Sequence, residues 1–290
     1  MSVLTPSRAG EPLVDMLQPL DPLHPLSRGC VAAFCPRAGM VGGRRLIDLV
    51  NPGPHGNHGT LTGMDPATDW AFAPELGRWA LDLDGVGDYV HCGTHASLLP
   101  DAFTVAAFVK PNDVADNSLF AFVVGSPYVP RFAMHHVTTG KPIFYMGVSN
   151  YQYFSSGAWT TLKDGRWHSI AVTLPGAGQL DIEGSQCFID GIADTKPSAP
   201  TTAGAQASKS AFTFGHSTYE MSGQVTDVLL YSRVLLPSEI ALLANRSDPT
   251  YGGWIRTVGR RYWPASAPAG GATIRWPWQQ RRRRRMAAGV

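Results

Sequence analysis

The chain has 290 residues, 31 Gly, 23 Pro, only 16% charged residues and a formal net charge of +2. That length can bury a substantial core, and the composition argues against long helices and for short strands joined by turns. No apolar run approaches the roughly 18 residues of a membrane-spanning helix, and four scattered cysteines (Cys30, Cys35, Cys92, Cys187) exclude a disulfide scaffold or a Cys-x-x-Cys zinc site. The small net charge conceals a division. Residues 1–253 hold fifteen Lys and Arg against all twenty-two Asp and Glu, a formal −7, whereas residues 254–290 hold nine Arg and no acid. An acidic body with a basic appendage predicts a tail that meets an anionic surface.

Residues 1–27 are interrupted repeatedly by Pro and carry neither the basic nor the apolar region of a signal peptide; they are expected to form an extended arm. From 28 to 247 short apolar runs alternate with turn residues. CVAAF (Cys30 to Phe34) is a predicted first strand, followed by a loop from Asp48 that ends in a strand near Leu61. In LDLDGVGDYV, Leu81 and Leu83 alternate with Asp82 and Asp84, and Asp84-Gly85 supplies a strong turn dipeptide. The sequence there reads as strand, turn, strand. Further strands are expected at FTVAAFVKP (from Phe103), LFAFVVG (from Leu119), RFAMHHV (from Arg131), PIFYMGV (from Pro142), RWHSIAVTL (from Arg166), QCFIDG (from Gln186), AFTFGH (from Ala211) and GQVTDVLLYSR (from Gly223). In RWHSIAVTL both alternating faces are mainly apolar, which predicts a central strand covered on both sides. One short helix is expected at Pro237 to Leu243, with Pro at its start. Residues 248–290 show no amphipathic period and combine four Trp with an arginine run.

These segments, in order, resemble the laminin-G-like, concanavalin A-like jelly-roll superfamily over about residues 29–245. GCVAAFCP is similar to its opening strand, GNHGTL to its glycine-asparagine loop, WALDLDGVGDYV to its Asp-Gly hairpin, DGRWHSIAVT to its Trp-His strand, CFIDGI to a second hairpin, and GQVTDVLLYSRVLLPSEIALL to its closing strand and helix. The resemblance implies an all-β, two-sheet antiparallel jelly-roll sandwich (concanavalin A-like) with one short C-terminal helix and extended terminal arms. The implied division is an N-terminal arm at 1–27, the jelly roll at 28–247 and a basic aromatic tail at 248–290.

Glycoside hydrolysis on such a sandwich needs two carboxylates, roughly 5–5.5 Å apart for retention or about 6.5–9.5 Å for inversion. The related enzymes carry Glu-x-Asp-x-x-Glu on one strand, and none of the five Glu here begins that pattern. The pairs Asp82/Asp84 and Asp181/Glu183 adjoin turns and read as solvated turn carboxylates. No cofactor is required. A structural calcium, which takes roughly six to eight oxygen ligands, is the metal the resemblance implies, with Asp48, Asn57 and Asp227 as candidate ligands. Thr226 stands at the closing-strand acid's position, so strict alternation turns Asp227 to the opposite sheet face. The alternative for Asp48 is a loop cap. Sugar sites stack aromatics on pyranose faces, and Tyr151, Tyr153 and Trp159 in SNYQYFSSGAW are the glycan-binding candidates, with packing or protein contact as the competing role.

The tail offers Trp254, Trp263, Trp276, Trp278 and Arg281, Arg282, Arg283, Arg284 and Arg285 for anchoring to other protein subunits, with nucleic acid an alternative partner for the arginines. The functional expectation is a non-enzymatic recognition or structural module, a component of a virion or phage-like particle whose sandwich is displayed and whose tails anchor it. A free-standing carbohydrate-binding protein is the alternative, and a divergent glycosidase a third. The expected place is a particle surface, otherwise the cytoplasm.

Overall fold

Alternating apolar residues bounded by Gly, Pro, Asn and Asp fold into strands because each strand can bury one face, and the central strands both faces. The computed structural model describes residues 20–37, 40–52, 55–112, 118–122, 131–133, 143–146, 152–155, 162, 164–176, 184–194, 211–215, 220–248 and 250–255. All of them belong to one compact unit, Met1–Thr257; Val258–Val290 is a separate unit outside the described residues. Strands are numbered in chain order. The first sheet contains β1 (Cys30–Phe34), β4 (Trp70–Ala73), β5 (Arg78–Asp84), β7 (Phe103–Pro111), β12 (His168–Leu174), β13 (Gln186–Ile189), β14 (Ile192–Ala193) and β16 (Ser222–Tyr231). Its order is β14-β13-β12-β7-β16-β5-β4, with β1 also paired to β16. The second contains β2 (Arg45–Leu46), β3 (Gly59–Thr62), β6 (Tyr89–Gly93), β8 (Ser118–Ala121), β9 (Arg131–Ala133), β10 (Ile143–Met146), β11 (Gln152–Ser155) and β15 (Phe212–Phe214), ordered β11-β10-β9-β8-β15-β6-β3-β2. Every pairing among these strands is antiparallel.

Phenylalanines join the two sheets. Phe34 and Phe103 of the first meet Phe120, Phe122, Phe212 and Phe214 of the second, with ring centroids 4.7–6.5 Å apart in tilted, stacked and edge-on contacts. Such pairs add to the large apolar area that each ring removes from water. The central strand β12 runs between β7 and β13 and is buried along nearly its whole length. All four cysteines are buried free thiols, and burial pushes each well above its ordinary pKa.

Two expectations change. LDLDGVGDYV is no hairpin, because β5 lies in the first sheet and β6 in the second. Gly85 and Gly87, both at positive φ, let the chain cross between the sheets. Asp84 Oδ1 accepts from Val86 N (2.6 Å) and Asp88 Oδ2 from Asp84 N (3.1 Å), so these carboxylates build the crossing. The folded unit also reaches beyond both expected boundaries. Leu20 bridges Ile255, Asp21 N donates to Trp254 O (2.8 Å), and Trp254 Nε1 donates to Ser27 Oγ (2.8 Å).

The helix α1 (Pro237–Leu243) starts at Pro and buries Ile240 and Leu243. Glu239 fixes its start by accepting from Leu236 N (2.8 Å) and taking both arms of Arg233 (2.8 and 2.6 Å). The two-armed guanidinium–carboxylate contact ties the segment after β16 to the first turn of α1.

Candidate functional site

Of the aromatic candidates, Tyr151 and Trp159 lie outside the described residues. Tyr153 sits on β11, the edge strand of the second sheet, in register with Tyr145 of β10. Of the tail residues, Trp263, Trp276, Trp278 and Arg281 to Arg285 lie outside the described residues. Trp254 does not belong with them. It is fully buried on the outer face of the first sheet, beside Tyr231 and Tyr251.

The three candidate calcium ligands do not converge. Phe34 pairs with Val228 on one side and with Asp48 on the other. The backbones at 48 and 228 are therefore two strand spacings apart, about 9–10 Å. Asp48 turns back onto β1, its Oδ1 accepting from Ala33 N (2.9 Å) and Val50 N (3.0 Å), while its own N donates to His58 Nδ1 (3.1 Å). The loop beneath it is drawn so tight that a Cβ on Gly56 would meet the Asn51 carbonyl oxygen. Asn57 is directed elsewhere, donating from Nδ2 to Ser97 Oγ (3.2 Å). Among the described residues no three His, Cys, Asp or Glu side chains are grouped to hold a metal. The Asp48, Asn57, Asp227 set does not fit one calcium ion, because an ion must bring its oxygens within about 2.6 Å.

Asp227 also departs from strict alternation. Along one edge β16 changes neighbours, pairing Ser222–Val225 with β5 and Val228–Tyr231 with β1. At the change a bulge sets Asp227 and Val228 opposite Ala107 alone, and Asp227 takes a φ of 51°. The extra residue resets the alternation, so Asp227 joins Thr226 on the outer face instead of opposing it. There a guanidinium, and not a metal ion, meets the carboxylate. Arg78 Nη1 donates to Asp227 Oδ2 and to Tyr251 Oη (2.7 Å), and Tyr251 Oη donates to Asp227 Oδ2 (2.6 Å). The Arg78 and Asp227 side chains are 1% and 0% exposed. Arg78 also lies over the Phe108 and Tyr251 rings, 4.9 and 5.2 Å from their centroids. Burial alone would raise the Asp227 pKa, but the Arg78 and Arg37 charges and the Tyr251 hydroxyl hold it below the ordinary Asp value.

Asp48 is the opposite case. Among the described residues it is buried with no cation beside it, and one of its oxygens has no hydrogen-bond partner. Burial pushes its pKa up from 3.8 to about 6, only partly offset by the amides of Ala33, Val50 and Asn51. The folded protein holds this proton more tightly than the unfolded chain, so stability falls as pH rises from 3.8 to about 6. Asp48→Asn removes that dependence. From about pH 4 to about pH 7 the variant should gain about 2–3 kcal/mol on the native protein in urea unfolding. A constant difference would refute an ionisable Asp48. Loss of the dependence on adding calcium would mean that calcium binds the carboxylate.

A second polar cluster joins two recognised motifs. His168, at the start of β12, places Nδ1 at 2.9 Å from Asp190 Oδ2 and Nε2 at 3.0 Å from Asp164 Oδ1. Asp190 occupies the β13–β14 turn at a φ of 52° and accepts from Ser169 N (2.9 Å) and Arg246 Nη2 (2.6 Å). Burial would raise its pKa, but the hydrogen bonds from His168, Arg246 and Ser169 N bring it down to about 2. Sequence reading missed the cluster, although Asp190 follows directly from the pairing of Ile170 with Ile189. Of the considered carboxylate pairs, Asp82 accepts from Gln224 Nε2 (3.1 Å), Asp84 builds the crossing, and Asp181 and Glu183 lie outside the described residues.

With this arrangement in view, a family model described as the concanavalin A-like lectin/glucanases superfamily, of laminin-G type, matches residues 84–241, more than half of the chain. The chain belongs to this superfamily. The match spans the sheet-crossing segment, the Trp-His strand, the Asp190 turn, the closing strand and most of α1. Comparison with curated proteins finds no match. Among solved structures, the superfamily chain is similar to the binding domain of Paraclostridial Mosquitocidal Protein 1 (TM-score 0.53, 10% identity, covering 75% of this chain and 52% of that one). It is also similar to domain 4 of AbnA, a GH43 extracellular arabinanase from Geobacillus stearothermophilus (0.51, 18%, covering 74% and 98%). Trypanosoma rangeli sialidase is a third (0.50, 15%, covering 76% and 34%). The chain thus spans about half of the first and a third of the sialidase, but nearly all of AbnA domain 4. At these identities the likeness establishes the fold alone.

Proposed function

We propose that this protein is a non-enzymatic recognition module that binds carbohydrate through its lectin-like sandwich. The observation that carries the reading is the likeness to AbnA domain 4, a domain whose structure holds arabinotriose and nearly all of whose length is matched. The absence of a Glu-x-Asp-x-x-Glu strand supports the non-enzymatic part. Sugar recognition on such a scaffold needs stacking aromatics with a few polar groups to fix orientation, and SNYQYFSSGAW supplies both types in one segment. Titration of arabino-oligosaccharides and a wider glycan panel tests this by calorimetry. The Tyr151→Ala/Tyr153→Ala protein should lose at least about tenfold in affinity, or about 1.4 kcal/mol. Equal binding by both proteins removes this segment from the site, and no binding by the native chain overturns the carbohydrate reading.

The charge division favours a further element of the same reading, display on a virion or phage-like particle. An acidic body repels polyanions, whereas nine arginines interleaved with aromatics in residues 254–290 suit a docking segment for an acidic protein subunit or nucleic acid. Removal of residues 258–290 should abolish co-purification with other particle subunits and leave glycan affinity intact.

A further inference from the structure

We propose that His168 is a proton-operated clamp, whose imidazolium form ties the turn at 164–166 to the β13–β14 turn and whose neutral form releases the first of them. The geometry carries the inference. Both ring nitrogens lie at hydrogen-bond distance from carboxylate oxygens, 2.9 Å to Asp190 and 3.0 Å to Asp164. Carboxylates only accept, so both contacts are satisfied only when both nitrogens carry hydrogen. A neutral ring has one N–H, and its other nitrogen turns a lone pair toward an anion.

Among the described residues, the charged groups that face the ring come from three elements around it. Asp164 and Arg166 come from the preceding turn, with Arg166 Nε 3.8 Å from Asp164. Asp190 comes from the β13–β14 turn, and Arg246, from the segment after α1, touches Asp190 at 2.6 Å. The strand β7 presents uncharged Val109 opposite His168. Both acids favour the cation. Burial would lower the His168 pKa, but the hydrogen bonds to Asp190 and Asp164 outweigh it and hold the pKa above the ordinary 6.5. Stability from these contacts is therefore complete below about pH 6.5 and is lost as pH rises through the higher folded-state value.

Which contact opens follows from the remaining partners. Asp190 keeps Ser169 N and Arg246 when the proton leaves, and its side chain is 30% exposed. Asp164 is 41% exposed and, among the described residues, keeps only the hydrogen bond from the Arg166 amide of its own turn, which opens more often once His168 no longer anchors the carboxylate. Water replaces His168 at Asp164 more readily, so the 164–166 turn lets go while the β13–β14 turn stays tied to the helix end. The clamp does not depend on the carbohydrate reading.

The test is NMR titration of the full chain with amide hydrogen exchange at about pH 5.5 and about pH 8.5, corrected for intrinsic rates. His168 should titrate above 6.5 in the native protein and lower in both Asp164→Asn and Asp190→Asn. Protection of the Arg166 amide should fall several-fold across the interval while that of Ser169 holds. In His168→Gln, which has no titrating ring, the Arg166 amide should show no such change. A His168 that titrates at or below 6.5, or Arg166 protection equal at both pH values, overturns the clamp. So does a pH response that survives in His168→Gln.

Discussion

Asp227→Asn is expected to cost about 3–5 kcal/mol in denaturant unfolding, the range found when one partner of a buried ion pair is removed. Asparagine tolerates the left-handed backbone at this position, so the substitution isolates the charge and spares the bulge. The loss arises because Arg78 remains, 1% exposed, with its positive charge among Phe108, Tyr251 and the sheet. Replacing Arg78 with Met in the same chain should recover a large part of the loss, since an apolar side chain needs no counter-charge there. The pH dependence has a defined sign. The folded-state pKa of Asp227 is depressed, so its contribution is complete above the unfolded value of about 3.9 and disappears as pH falls through the lower folded value. A deficit below about 1 kcal/mol at neutral pH, typical of an exposed pair, would show that Arg78 and Asp227 do not form a buried pair.

The same pair marks where sequence reading succeeds and where it stops. Cys30–Phe34, Phe103–Pro111 and Pro237–Leu243 were legible to the residue, because period and terminal signals are local. The superfamily order of motifs fixed the two-sheet architecture. The sheet crossing at 84–88 was not legible, since a strand-turn-strand pattern is identical whether the second strand pairs with the first or enters the opposite sheet. Nor was the bulge at Asp227. An extra residue in the left-handed region leaves no compositional trace when it is an aspartate. The partners of Asp227 are 149 and 24 residues away in sequence, so no local pattern could name them. The His168 cluster was within reach, because a Trp-His strand paired with an Asp-Gly turn places the two side chains together once the register is known.

The second large effect concerns the end of the folded body. A chain ended after residue 247 should fail to accumulate as folded protein, whereas one ended after residue 257 should unfold within a few degrees of the full chain. Composition sets a boundary at 248, where the amphipathic pattern fails, but the residues just beyond it include two fully buried aromatics of the outer face. Trp254 is 0% and Tyr251 1% exposed, and Ile255 is also buried. Trp254 links three parts of the fold through its indole N–H to Ser27, its ring to Tyr231 of β16, and its carbonyl to Asp21 N. Loss of Tyr251 removes a partner of both Arg78 and Asp227, so the truncation would also weaken the buried ion pair. Trp254→Ala alone should cost about 3–5 kcal/mol and lower Tm by on the order of 10 °C, measured by calorimetry in the full-length chain. Trp254→Phe retains most of the ring but leaves Ser27 without its donor, and should cost about 1–2 kcal/mol. If the chain ended at 247 melts with the one ended at 257, then residues 250–255 do not contribute to the core and the body ends where composition first placed it.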